Sequence, residues 1–288
     1  MIKLINDKAI KITHPDKILY LKTGYTKTDL IEYYLSMEPV LMRHNKGRPV
    51  VFIRYPHGTP GYSFFQKNLP DYAPGWMQTM EMGKHKPVRY LILEDIADLV
   101  WLVQMHALEF HVINVRKPDF HHPDLMIFDI DPPEEGGFEK ARHFALEAKP
   151  YLEQMGYHPF VKTSGKRGLH ICCPVHPSFT VDLVMKAAEK AARFLMNKIP
   201  GTTLEVRKNR RKGKLLIDIY RNRAFQTFSM VYGTRHTDAA TVSMPVTWEI
   251  LEAGANPQDF TIKTVPSLIK ALGDPWAKME NAATGINL

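Results

Sequence analysis

Apolar and polar positions along the chain repeat with two different periods, and this pattern predicts helices and strands interleaved throughout its length. The first helix is predicted over 26–44, because Thr26 can cap it, Asp29 stands three residues later and apolar side chains recur at helical spacing. Three further helices are predicted over 93–105, 137–155 and 180–199.

Short apolar runs bounded by turn residues predict the strands. They cover 49–55, 62–66, 109–115, 125–130, 159–163, 169–175 and 214–220, and further strands and a helix are expected over 225–252. Some neighbouring strands are joined by connections too short for a parallel crossover, so we expect mixed sheets and an α+β fold. We expect a single domain over 1–288, with coupled subdomains over 1–120 and 121–288 as the alternative.

The composition is that of a globular protein with an excess of positive charge. Of the 288 residues 44% are apolar, which suffices for a full core, and the net charge of +8 attracts polyanions such as nucleic acids or anionic lipid surfaces. Cys172 and Cys173 are adjacent, which excludes a disulfide framework and a CxxC zinc site and favours a reducing compartment. No apolar run approaches the ~20 residues that span a bilayer, so we expect a soluble cytoplasmic protein without a membrane partner.

Two aspartates stand at the end of the most apolar predicted strand, in the sequence LMIFDIDP over 125–132. Because side chains alternate along a strand, Asp129 and Asp131 point to one face of the sheet. Their mutual repulsion is most simply offset by Mg²⁺ or Mn²⁺, which prefer oxygen ligands. The alternative is a strand that ends in a turn with solvated acids, and the strand alone leaves both open.

A third acid, Asp218, lies within the apolar strand predicted over 214–220. An unpaired charge there would cost several kcal/mol, so Asp218 needs a partner. The partner is either a metal ion or an arginine, such as Arg221 or Arg223. Three carboxylates on neighbouring strands would suit two metal ions that activate a hydroxyl and stabilise a pyrophosphate leaving group.

Two polar loops offer donors for phosphate. The first, SGKRGLH over 164–170, has two glycines, a hydroxyl, two cations and an imidazole, but it lacks the helix and the Gly-Lys-Ser/Thr of a Walker A loop. A plain hairpin turn is the alternative there. The second, over 207–214, places six cations in eight residues before Asp218, either as a solvated loop or as a phosphate clamp.

The order of these motifs resembles the archaeo-eukaryotic primase superfamily. More closely, the chain is similar to the polymerase domain of bacterial ligase D and its stand-alone relatives, which act in non-homologous end joining. The similar segments are HPDKILY (14–20), GYTKTDLIEYY (24–34), FFQKNLP (64–70), ALEFH (107–111), DIDP (129–132), SGKRGLH (164–170) and RRKGKLLID (210–218).

The resemblance implies a primase-like core with a modified RNA-recognition-like mixed sheet and flanking helices. It also implies a DNA-directed nucleotidyltransferase that adds nucleotides, preferably ribonucleotides, to DNA 3′ ends. NTP or dNTP would be the substrate, with Mn²⁺ or Mg²⁺ in a two-metal site. The implied metal ligands and catalytic acids are Asp129, Asp131 and Asp218. The implied nucleotide-binding residues are His111, Ser164, Arg167, His170, Arg211 and Arg235.

Further residues are expected to contact DNA. The resemblance places Lys17 and Lys27 in a pocket for the 5′-phosphate across a gap, with ordinary surface lysines as the alternative. Phe64 and Phe65 are consecutive, so in a strand one can fill the core while the other stacks on a template base; both could also be core residues. Lys67 follows closely and can contact backbone phosphate.

The expected partners are DNA with 3′ overhangs, gaps or breaks that carry a 5′-phosphate, together with a separate DNA ligase and a Ku-like protein. The separate partners are expected because 288 residues leave no room for the ligase and phosphoesterase domains fused in ligase D. The alternative within the superfamily is a DNA primase that synthesises primers de novo. From other classes, a two-metal nuclease and a non-catalytic end-binding module are the alternatives.

Overall fold

The computed structural model describes residues 1–83 and 86–288. Its first part contains β1 (Ile2–Ile5), β2 (Lys8–Lys11), β3 (Ile18–Tyr20), β4 (Tyr25–Thr26), α1 (Lys27–Ser36), α2 (Glu38–Asn45), β5 (Pro49–Arg54), β6 (Phe64–Gln66), β7 (Thr79–Met82), β8 (Val88–Ile92), α3 (Ile96–Gln104) and β9 (Ala107–Ile113). The remainder contains β10 (Leu125–Asp131), α4 (Gly137–Gln154), β11 (Phe160–Thr163), β12 (Leu169–Pro174), α5 (Val181–Lys198), β13 (Thr202–Thr203), β14 (Leu215–Asp218), β15 (Thr227–Ser229), β16 (Pro245–Val246), α6 (Trp248–Glu252) and α7 (Val265–Leu272).

Two large sheets organise these elements. The first sheet has the strand order β15-β9-β5-β8-β7, with β6 also paired to β5, and all of its pairs are antiparallel. The second sheet has the order β13-β14-β10-β12-β11-β16, in which only the β13–β14 pair is parallel. This mixture of sheets and helices confirms the α+β class.

The second sheet is covered on one face by α4 and α5, which both contact β10. Both helices bury alanines at helical spacing, and these small side chains let the helices approach the sheet closely. Along β10 buried and partly exposed residues alternate. Phe128 and Ile130 are fully buried, whereas Asp129 and Asp131 are partly exposed. The alternation of β10 therefore points its two acids away from the helical layer.

The two halves of the chain share their packing. One cluster of buried apolar side chains includes residues from both halves, and β15 from the second half forms an edge of the first sheet. Division at residue 120 into coupled subdomains stays a prediction. None of the helices within residues 1–83 and 86–288 combines the length and the apolar character needed to cross a bilayer.

The helix predicted over 26–44 is broken, so that prediction was wrong in its extent. Thr26 and Asp29 form the expected capping box at the start of α1. Met37 then ends α1 and begins α2, with Pro39 in the first turn of α2. Proline has no N–H to continue the ladder of α1 and its ring clashes with the preceding turn, so the chain restarts in a second helix.

Most other predicted elements are confirmed to within a few residues, but some strand ends differ and several strands were not predicted. The strand predicted over 214–220 ends at Asp218, because Tyr220–Asn222 form a single 3-10 turn. The pattern also missed the short strands β3, β4, β7, β8 and β13. It missed the β1–β2 hairpin as well, in which four of the eight strand residues are exposed. Its turn residues Asn6 and Asp7 both have positive φ, 44° and 64°, which suits a two-residue hairpin turn.

Candidate active site

A row of titratable side chains crosses the second sheet near the end of β10. Asp129 pairs with Asp218 of β14 on one side and with His170 of β12 on the other. His170 in turn pairs with Lys162 of β11. The antiparallel register therefore brings the predicted acids and imidazole together from strands far apart in sequence.

Arginine side chains lie directly against the carboxylates. Arg221 places Nε 3.0 Å from Oδ2 of Asp129 and Nη2 3.3 Å from Oδ2 of Asp218. Arg211 donates from Nη1 to Oδ2 of Asp131 at 2.6 Å. Arg221 therefore contacts both Asp129 and Asp218, and the choice between an arginine and a metal ion as the partner of Asp218 stays open.

The surroundings set different proton affinities in this row. Burial would raise the pKa of Asp129, but His170 and Arg221 outweigh it and hold that pKa well below its ordinary value. Burial raises the pKa of Asp218, against the opposing effect of Arg221. Burial, followed by the charge of Lys162, lowers the pKa of His170 to about 4. At neutral pH Asp129 is therefore an anion beside a neutral imidazole.

Lys162, which lies next to His170 in the sheet, was not among the residues that the sequence predicted for the site. Its side chain is fully buried, and Nζ donates to the hydroxyls of Ser229, at 2.9 Å, and of Ser243. The ammonium also lies 5.9 Å from the centre of the Phe228 ring. Burial lowers the pKa of Lys162 to about 7. Its pairing with His170 depends on strand register, which the sequence does not show locally.

The chemistry of the three aspartates fits a divalent ion. Carboxylate oxygens are the preferred ligands of Mg²⁺ and Mn²⁺. The adjacent strands β10 and β14 together supply three carboxylates. As placed, no three acidic, imidazole or thiol side chains in the described part of the chain are grouped to hold an ion. Arg221 and Arg211 supply positive charge beside the three carboxylates in the structure.

A cleft of about 420 Å³ opens above these acids. It is lined by all three predicted metal ligands and by all six predicted nucleotide-binding residues, namely Asp129, Asp131, Asp218, His111, Ser164, Arg167, His170, Arg211 and Arg235. Lys166 and Arg221 also line it. His170 Nδ1 and Arg235 Nε are buried without a hydrogen-bond partner among the described residues, so the cleft retains unsatisfied polar atoms.

The glycine loop between β11 and β12 has a conformation that its glycines permit. Gly165 has φ +74°, and a Cβ there would lie 2.5 Å from Cγ of Arg235. A Cβ on Gly168 would lie 2.3 Å from the carbonyl oxygen of Ile130, next to the acids. The hydroxyl of Ser164 accepts from the backbone N–H of Gly168 at 3.2 Å and closes the loop. The loop connects the antiparallel strands β11 and β12 as a hairpin, and its role in binding phosphate stays a prediction.

Glu109 is a second residue that sequence reasoning missed. It lies two residues before His111 in β9, so both side chains share one face of the first sheet. Its buried carboxylate accepts from Nε2 of His111 and lies 2.9 Å from Nη2 of Arg235. The signal was available, because an acid inside the apolar ALEFH strand needs a partner for the same reason as Asp218.

A family model described as "LigD, primase-polymerase domain" matches residues 26–276. This chain belongs to the LigD primase-polymerase family. The bifunctional non-homologous end joining protein LigD of Bacillus subtilis is 35% identical over 270 residues, which cover 93% of this chain and 43% of that protein. The multifunctional LigD of Mycolicibacterium smegmatis is 32% identical over 246 residues, or 84% of this chain and 32% of that protein.

The fold of this LigD-family chain also matches a solved structure. The polymerase domain of Mycobacterium tuberculosis ligase D, in complex with DNA, superposes with a TM-score of 0.88 and 29% identity. The match covers 96% of this chain and 99% of that one. The resemblance inferred from the motifs is confirmed, as is the fold class. The chain spans less than half the length of the LigD relatives described above.

The two N-terminal lysines of this LigD-family chain lie together, away from the cleft. The backbone N–H of Lys27 donates to the carbonyl of Lys17 at 2.9 Å. Lys27 is fully buried, and its Nζ donates to the carbonyl of Thr13 at 2.5 Å and to Oε1 of Gln104 at 3.1 Å. Burial, followed by the charge of Lys17, lowers the pKa of Lys27 to about 8. Lys27 is therefore not an ordinary surface lysine.

The paired phenylalanines are placed on opposite faces of β6. Phe65 is 51% exposed, and Nζ of Lys67 lies 5.8 Å from the centre of its ring. Phe64 is half-buried beneath the guanidinium of Arg54, 5.2 Å from the ring centre. The expectation that one ring fills the core was wrong, because Phe64 packs under a cation near the surface.

Proposed function

We propose that this chain is a template-directed polymerase that extends DNA 3′ ends and fills gaps during non-homologous end joining, with a preference for ribonucleotides. The observation that carries the proposal is the convergence of three acids and six nucleotide-binding candidates in one cleft. The relatives named above are end-joining proteins, and one neighbour was solved with DNA. These names favour gap filling over de novo priming.

In this proposal the cleft binds the nucleotide between the two sheets. The glycine loop, with Ser164 and Gly168, lies on one side of the cleft. His111 approaches from β9 of the first sheet, and Arg235 approaches from the loop that follows β15. The primer 3′-oxygen forms a bond to the α-phosphorus, the bond to pyrophosphate breaks, and the hydroxyl proton leaves to solvent. Arg211 lies where it can neutralise charge that develops on the phosphates.

Metal dependence is part of the proposal. Asp129, Asp131 and Asp218 would hold Mn²⁺ or Mg²⁺ in a two-metal arrangement, which when bound lowers the pKa of the attacking hydroxyl and stabilises the leaving pyrophosphate. Asp129 is ionised at neutral pH and can therefore offer its carboxylate to a cation. An ion held by these carboxylates would take the place of the Arg221 guanidinium, which contacts Asp129 and Asp218.

Lys17 and Lys27 are proposed to recognise the 5′-phosphate on the far side of a gap. Their charges are close together, and within residues 1–83 and 86–288 neither forms an ion pair with a carboxylate. A buried positive charge without a counter-charge is costly, and a phosphate dianion would relieve that cost. Phe65 is the proposed template platform, with Lys67 beside it for backbone phosphate.

The proposed partners are gapped or broken DNA, a separate DNA ligase and a Ku-like end-binding protein. The relatives that match this chain are longer proteins whose names state a role in end joining. That named role is what supports these partners. Cytosolic location is likewise proposed, because both cysteines are free and buried and no disulfide stabilises the described residues.

A gapped duplex tests the proposal. The protein is incubated with a one-nucleotide gap that carries a 5′-phosphate or a 5′-hydroxyl, with Mn²⁺ or Mg²⁺, and with ribo- or deoxyribonucleotides. We expect templated extension, faster on the phosphorylated gap and with ribonucleotides. Dinucleotide synthesis on single-stranded DNA without a primer would favour the primase, shortening of labelled ends without nucleotide would favour the nuclease, and extension under no condition would refute the polymerase.

A further inference from the structure

Glu109 stands at the junction of the nucleotide cleft and the first sheet, and its side chain is 2% exposed. Burial would raise the pKa of Glu109, but His111 and His236, with the charge of Arg235, outweigh it and hold that pKa far below its ordinary value. The carboxylate is therefore a permanent anion inside the protein. Such a charge persists only where its neighbours satisfy it.

The two oxygens of Glu109 have different partners. Oε1 accepts from Nε2 of His111 and lies 2.9 Å from both that atom and Nη2 of Arg235. Oε2 lies 3.5 Å from Nζ of Lys166, accepts from the backbone N–H of His236 at 3.3 Å and contacts Nδ1 of the same residue. One carboxylate thus fixes two residues predicted to bind nucleotide and two that were not.

The partners of Oε1 are held firmly, whereas those of Oε2 face solvent. Arg235 is also tied to the carbonyl of Ser164 at 2.7 Å. Lys166 and His236 are 34% and 37% exposed, and their side chains are 3.2 Å apart. Lys166 and Arg167 both line the cleft, and Lys166 is the less exposed of the two. The ammonium of Lys166 therefore lies between the Glu109 carboxylate and the cleft.

The charges around Glu109 do not cancel. One carboxylate stands against the two basic side chains Arg235 and Lys166, with two imidazoles beside them. The surplus positive charge faces the cleft, so an incoming phosphate meets cations that are already oriented. Preorganised donors cost little to order when the ligand binds.

We propose that Glu109 is the positioning residue of the nucleotide-phosphate site, and that Lys166 is an additional phosphate-binding cation which Glu109 and His236 hold over the cleft. The proposal rests on the proposed function in taking the ligand to be a nucleoside triphosphate. Glu109 acts through Arg235, His111 and Lys166 and does not itself touch the nucleotide. Lys166 is the group expected to contact phosphate.

Glu109→Gln keeps the shape of the side chain and removes its charge. ATP binding is measured by titration calorimetry without DNA, for the unaltered protein, for E109Q and for the matched control Glu189→Gln, whose exposed carboxylate pairs with Arg193 on α5. We expect E109Q to weaken ATP binding about tenfold, the size of one lost charge-assisted hydrogen bond, and the control to match the unaltered protein. Unchanged or tighter binding, which removal of a negative charge alone would produce, would overturn the proposal.

Lys166→Met tests the coupling. In the unaltered background we expect it to weaken ATP binding by several-fold, and in the E109Q background to have almost no further effect, because Lys166 then lacks its anchor. Fully additive losses in the double variant would overturn the link between the two residues. A lower melting temperature of E109Q with unchanged ATP affinity would show that Glu109 is merely structural.

Extension kinetics separate this inference from the proposed function. On a gapped duplex we expect E109Q to raise KM for the nucleotide while kcat changes little, since the acids of the second sheet are untouched. If the unaltered protein binds ATP but extends no DNA, and E109Q still weakens binding, the proposed function fails and the inference stands. If the unaltered protein extends gaps and E109Q leaves both KM and ATP affinity unchanged, only the inference fails.

Discussion

The buried ammonium of Lys162 should make the protein less stable at neutral pH than at alkaline pH. Lys162→Met removes the charge and keeps a chain of similar length. The hydroxyls it leaves behind keep partners, because Ser229 and Ser243 are 2.9 Å apart and Ser243 also donates to the carbonyl of Thr163 at 3.0 Å. The substitution therefore tests the charge with little loss of hydrogen bonding.

The magnitude follows from proton linkage. Burial lowers the pKa of Lys162 from 10.5 to about 7. The unfolded chain therefore binds more protons between these two values, and stability rises with pH across that window. The full cost, present below the folded pKa, is about 5 kcal/mol, and between pH 7 and pH 9 it should fall by about 2 kcal/mol. Above the unfolded pKa the cost disappears.

Urea denaturation at pH 7 and pH 9 measures this difference. We expect Lys162→Met to be more stable than the unaltered protein at pH 7, with an advantage that shrinks by about 2 kcal/mol at pH 9. Lys186→Met, on the exposed side of α5, should show no pH-dependent difference. An equal loss of stability at both pH values in Lys162→Met would refute the reasoning, because it would show that the ammonium contributes packing and not a desolvation cost.

Three further outcomes are expected. The preference for a 5′-phosphorylated gap should fall several-fold between pH 7 and pH 9, because Lys27 has a pKa of about 8 and loses its charge in this range. Lys27→Ala should abolish both the preference and its pH dependence. The same substitution should slow extension of a simple primer less than it slows filling of a phosphorylated gap. Phe65→Ala should slow templated extension about tenfold through lost base stacking, whereas Leu272→Ala, at another exposed apolar position on α7, should leave the rate unchanged. Thr26→Ala should lower the free energy of unfolding by about 1 kcal/mol in urea denaturation, and an unchanged value would contradict the role of the capping box.

The sequence revealed the parts of the cleft that are local in the chain. Asp129 and Asp131 are two residues apart in an apolar strand, and Ser164 to His170 form one loop, so alternation and turn chemistry suffice to predict them. Asp218 was predicted by the cost of an isolated acid in an apolar strand. Each of these signals depends on neighbours within a few residues.

Strand register decides the parts that the sequence did not reveal. Lys162 meets His170 only because β11 pairs with β12 in one register, and a shift of one residue would turn its side chain to the other face. Arg221 reaches two acids because the chain turns sharply after β14. The break between α1 and α2 does not depend on strand register. Pro39 is a local signal for a helix break, but the helical periodicity continues on both sides of it and predicted one uninterrupted helix.

The central claim, that Asp129 and Asp131 perform chemistry and do not merely help to bind DNA, is tested by the double substitution Asp129→Asn and Asp131→Asn. Binding to a gapped, 5′-phosphorylated duplex and extension of that duplex with Mn²⁺ and ribonucleotides are measured side by side. The account predicts that the unaltered protein binds and extends, and that the double variant binds the gap but extends it at least about a thousandfold more slowly. Extension by the double variant at a rate close to that of the unaltered protein would contradict it.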